Sequence, residues 1–120
     1  MDTIVIALAG LMGAAGVILA AAGAHGKTGM GLDSAGYLLL IHACAAIAVA
    51  IAIRNGMIFR PVATIATIGF ILGAALFAAD VTLRAYTGHR LFPMAAPTGG
   101  TIMILGWLAL SVCALISSRG

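Results

Sequence analysis

The chain has 120 residues, of which 63% are hydrophobic and 8% charged, and its formal net charge is +3. So few charges cannot coat a soluble domain of this size, so most of the surface must face lipid. The cations are scattered, with two in the RNGMIFR connection, and no basic run is interleaved with aromatics, so no nucleic-acid partner is expected.

Short polar clusters divide the chain into four apolar stretches, expected as spans at about residues 3–24, 35–53, 62–84 and 99–117. Each approaches the ~17 to 25 residues that a helix needs to cross the hydrocarbon core. Barrel strands would alternate in polarity over about ten residues, whereas these stretches are continuous and rich in Ala, Leu, Ile and Gly. The expected fold is an all-α integral membrane protein, a four-transmembrane-helix bundle with short connections forming one domain over residues 1–120.

In the first span, LAAAGA imitates a signal-peptide cleavage site, but Asp2 makes a poor basic leader, so the segment reads as a retained helix. Ala9, Gly13, Gly16, Ala20 and Gly23 recur at spacings of four and three, a stripe that lets a neighbouring backbone approach closely. His25 ends this span. The connection HGKTGMGLDS has three glycines from Gly26 to Gly31 and ends in Asp33 and Ser34, either of which suits the cap of the next helix.

The second span carries His42 and Cys44. The RNGMIFRP segment then joins an Asn-Gly turn to Pro61, which fits the first turn of a helix because its missing N–H costs nothing there. On the third span Gly69, Gly73, Leu76, Asp80 and Arg84 fall within about 80° of one another at helical spacing. Its glycine face is therefore the packing face and turns Asp80 toward protein. Arg84, one turn later, is the expected counter-charge. His89, Pro93 and Pro97 lie in a third connection expected at the membrane interface. On the fourth span Gly99, Met103, Gly106, Leu110 and Cys113 recur similarly. Both thiols are expected buried and inert.

Four spans place both termini and the second connection on one side. Arg54, Arg60 and Arg119 then balance Lys27, Arg84 and Arg90. Discounting Arg84, if it is committed to Asp80, tilts the count toward cytoplasmic termini.

Ionisable groups inside spans are functional candidates by default. His25, His42, Asp80, Arg84 and His89 are expected as a polar cluster on the side opposite the termini. The cluster has two readings: a clamp fixing helix register, or a site that binds an anion, relays a proton or lines a vestibule. No HExxH, GxSxG or Walker-type loop occurs, so no catalytic residue, metal or cofactor is assigned. Haem held by two histidines would need both on facing spans, and only His42 lies well within one.

The segments GAHG (Gly23 to Gly26), IHACAAIAV (Ile41 to Val49), LFPMAAPTGG (Leu91 to Gly100) and ILGW (Ile104 to Trp107) resemble those of the domain-of-unknown-function family 423, the YgdD-like small inner-membrane proteins. The resemblance covers nearly the whole chain. It implies a polytopic protein of the bacterial cytoplasmic membrane and supplies no activity or cofactor. Lys27 departs from the apolar residue expected after Gly-Ala-His-Gly, and Asp80 from the small or glycine-containing segment expected there.

The expected function is thus a structural or accessory bundle that self-associates or joins a membrane complex through its glycine faces. Gly13, Gly16, Gly23, Gly69, Gly73 and Gly106 would be its packing positions. The alternatives are a small ion, proton or solute transporter or channel using the polar cluster, and a lipid-binding protein with Arg84, Arg90 and the LFPMAAP segment at headgroup depth.

Overall fold

The computed structural model describes residues 2–118. Four helices account for most of them: α1 (Asp2–His25), α2 (Leu32–Arg54), α3 (Arg60–Thr87) and α4 (Ala95–Ser117). Each is long and apolar enough to cross a membrane, and there is no strand among the described residues. A helix satisfies its own backbone polar groups, which lipid cannot do, and this is why apolar runs of this length fold so. The chain is a multi-pass membrane protein.

The helix ends depart from expectation in three places. Neither Asp33 nor Ser34 caps α2: the capping position is Gly31, in the left-handed conformation at φ 83°. Asp33 lies inside the first turn, where its Oδ1 accepts the N–H of Ser34 at 2.9 Å. Helix α3 continues to Thr87 and stops at Gly88, whose φ of 76° suits glycine. Helix α4 begins at Ala95, ahead of the expected Gly99, and takes Pro97 into its first turn, where no N–H is needed. Pro61 lies in the first turn of α3, as its chemistry requires.

The helices form two hairpins side by side. Helix α1 packs on α2 and α3 on α4; α2 and α3 join the hairpins, while α1 meets α3 only marginally. In lipid no hydrophobic force draws helices together, so close backbone approach and van der Waals contact must do so. Glycines provide it at both hairpin crossings. A methyl on Gly36 would sit 2.5 Å from the Gly16 carbonyl oxygen and 2.7 Å from the Ala20 nitrogen. A methyl on Gly99 would sit 2.7 Å from the Gly73 carbonyl oxygen and 2.8 Å from the Phe77 nitrogen.

The two crossings repeat one pattern of backbone contact. One constant step in numbering carries Gly16, Ala20 and Gly23 of α1 onto Gly73, Phe77 and Asp80 of α3. Another carries Gly36, Leu40, Ala43 and Ala50 of α2 onto Gly99, Met103, Gly106 and Cys113 of α4. Methyls on Gly16 and Gly73 would meet matching atoms, the Gly36 carbonyl and Leu40 nitrogen in one hairpin and the Gly99 carbonyl and Met103 nitrogen in the other.

This arrangement corrects the expectation that the glycine faces meet another protein. Gly16, Gly23, Gly69, Gly73 and Gly106 lie against the chain's own neighbouring helix, and Gly13 touches only the Leu40 side chain, at 3.7 Å.

Candidate functional site

His42 lies near the middle of α2 and is buried. Its Nδ1 is 2.7 Å from the Leu38 carbonyl oxygen, which can only accept, and the indole Nε1 of Trp107, which can only donate, is 3.0 Å from its Nε2. These partners fix the neutral Nδ1–H tautomer. The imidazole also meets the Phe70 ring edge-on, with centroids 5.4 Å apart, and Phe70 and Trp107 lie 4.6 Å apart. One residue from each of α2, α3 and α4 thus joins an aromatic knot with both histidine nitrogens occupied.

Asp80 is wholly buried, but its partner is not Arg84. The carboxylate accepts two backbone N–H groups, Leu91 to Oδ1 at 2.9 Å and Ala96 to Oδ2 at 3.2 Å. Arg84 is exposed, and the ion pair among the described residues joins Arg54 to Asp2 at 3.3 Å. The physical reason is the early start of α4. It brings the unsatisfied N–H of Ala96 and the positive end of a helix dipole within reach of a buried carboxylate, and the preceding connection adds the N–H of Leu91, so Arg84 can remain at the interface.

Within the expected polar cluster, His42 and Asp80 therefore stand apart, each with its own partners. His42 packs at the level of Phe70, which precedes Asp80 by ten residues on α3, or about 15 Å of helix. His25 ends α1, Arg84 lies near the end of α3, and His89 is in the following connection; all three are exposed. Every buried side-chain nitrogen or oxygen among the described residues has a hydrogen-bond partner. The geometry favours the clamp over an open vestibule.

The opposite membrane face carries a latch that the sequence did not announce. Ser117 Oγ accepts the Phe59 N–H at 2.7 Å and donates to the Cys113 carbonyl at 2.7 Å, while the Cys113 thiol lies 3.2 Å from the Phe59 carbonyl. Cys113 is buried as expected, but Cys44 is exposed on the outer surface of α2. Gly36 and the Trp107 partner of His42 were also missed. Gly36 falls seven residues before Ala43 and fourteen before Ala50, a heptad of small residues that marks a packing seam.

Between α1 and α3 lies an apolar groove of about 680 Å³. Its lining includes neither His42 nor Asp80.

No curated protein and no solved structure matches the chain. A profile described as "Protein of unknown function (DUF423)" matches residues 19–100, from the second half of α1 into the start of α4. The chain belongs to the DUF423 family, as a four-span membrane protein of a family of unknown function.

Proposed function

We propose that this protein is a structural membrane subunit that assembles with further copies of itself in the bacterial cytoplasmic membrane. One observation carries the reading: the two repeated hairpins are joined head to tail. The contact between them pairs the second helix of one hairpin, α2, with the first helix of the next, α3. Such a heterologous contact leaves an unmatched half at each end, and repetition makes a ring or a row.

The unmatched halves can be read residue by residue. Ala63, Thr67, Ala74 and Ala78 of α3 are buried, and their repeat counterparts on α1, Ile6, Gly10, Val17 and Ala21, are all exposed. His42 and Val49 of α2 are buried, and their counterparts on α4, Leu105 and Val112, are exposed. Gly10 has open space where a side chain would be, so a neighbouring helix could approach it closely. A transport role gains little support by comparison, because a conducting path needs polar groups free to exchange partners, and those of His42 and Asp80 are engaged within the chain.

The test uses a residue pair that the repeat selects. Val49 and Ala63 share a buried cluster, so Val112→Cys of one copy should meet Ile6→Cys of the next. In a Cys44→Ala background, oxidised membranes are expected to give a ladder at multiples of 12.0 kDa. Pairing Val112→Cys with Leu11→Cys, on another flank of α1, should give none. A monomer band alone from the first pair would reject the assembly.

A further inference from the structure

The groove between α1 and α3 has the dimensions of a site for one lipid chain. Its walls are Leu11, Ala15 and Ile18 of α1 and Ala75, Ala79 and Leu83 of α3. Three of these six side chains are a single methyl, which leaves the space between the walls open. The volume of about 680 Å³ falls in the range of about 300–1,000 Å³ typical of small-molecule sites. Along α3 it extends from Ala75 to Thr87, twelve residues or about 18 Å of helix. One leaflet of hydrocarbon is about 15 Å thick. The groove therefore runs from one membrane face to about the midplane, the depth of an acyl chain.

Its outer end is chemically different. Tyr86, Thr87 and Leu91 form the mouth. Lys27 reaches across from the α1–α2 connection, placing its Nζ 5.2 Å from the centroid of the Tyr86 ring. Lys27 has no carboxylate partner among the described residues. Arg84 and Arg90 are exposed on the same face, where the one exposed acid is Asp33, since Asp80 is buried and occupied. An apolar slot one leaflet deep that ends under an unpaired ammonium is complementary to a chain bearing a negative head.

We infer that this groove binds one anionic glycerophospholipid, with an acyl chain between α1 and α3 and its phosphate at Lys27. The site uses a different flank of α1 from the one proposed for assembly, so either can fail without the other.

The experiment is native mass spectrometry of the full chain released from nanodiscs of equimolar palmitoyl-oleoyl phosphatidylglycerol and phosphatidylcholine. One phosphatidylglycerol per chain is expected to remain. Lys27→Ala should lower its retention relative to phosphatidylcholine about fivefold, the factor expected of one lysine at a membrane surface. Ala79→Phe, which fills the slot, should abolish it, whereas Ala114→Phe on the exposed side of α4 should not. Helicity by circular dichroism checks the fold of each variant, and Lys27→Ala, in a connection, remains decisive should Ala79→Phe fail to fold. Retention in proportion to nanodisc composition, or retention unaltered by Lys27→Ala, would overturn the inference.

Discussion

Asp80 occupies in the second hairpin the place that Gly23 occupies in the first. Gly23 lies so close to the backbone nitrogen of Asp33 that a methyl would overlap it. Asp80 instead reaches the N–H of Ala96, the repeat counterpart of Asp33, and the N–H of Leu91 besides. The start of α4 has no side-chain cap of its own, with Met94 at the capping position, so a carboxylate from α3 does that work across the hairpin.

The assignment of Asp80 as a cap, rather than as the partner of Arg84, is open to direct test. Asp80→Asn keeps one acceptor oxygen but sets an amide N–H₂ against a backbone donor, and is expected to cost about 1–3 kcal/mol. Arg84→Ala should remain within about 0.5 kcal/mol of the parent. Thermal unfolding of both variants in the same detergent distinguishes them. Equal losses would restore the ion pair.

The crossings predict which glycines are indispensable. Gly36→Ala and Gly99→Ala each drive a methyl into facing backbone and are expected to destabilise by about 1–3 kcal/mol. Gly10 and Gly100 have open space around them, so alanine there should leave the fold intact or stabilise it by about 0.5–1 kcal/mol through helix propensity. Denaturant titration followed by circular dichroism gives the comparison.

The chain has one tryptophan, so its emission reports on the aromatic knot alone. Trp107→Phe removes the donor to His42, and His42→Leu removes the acceptor. A double-mutant cycle between them should give a coupling of about 0.6–2 kcal/mol, the range found for interhelical hydrogen bonds in membranes. His42→Leu should also shift the Trp107 emission maximum. An additive cycle would mean that the bond contributes nothing.

Met94 is the non-glycine residue with positive φ among those described, at 68°, and its side chain is exposed. Its carbonyl accepts the N–H of Thr98 at 2.9 Å. Asparagine tolerates this conformation and is a preferred helix cap. Met94→Asn is therefore expected to raise stability by about 1 kcal/mol, read as a higher melting temperature.

The sequence by itself determined the environment, the number of spans and most of the packing faces. Composition forces the surface into lipid, lipid forces the backbone into helices, and helical spacing places Gly16 and Gly73 on faces that must meet another helix. Each of these is a local property, legible from residues within a few turns. What only the tertiary structure decided was the partner of each group. Asp80 and Arg84 share a helix face at helical spacing, yet Asp80 bonds two donors from residues eleven and sixteen positions away, one in the connection and one in the first turn of α4. His42 gains Trp107 from sixty-five residues away, and the glycine faces find their partners inside the chain. A stripe or a charge states what it requires of a neighbour, and the fold, through backbone approach and helix starts, decides which neighbour supplies it.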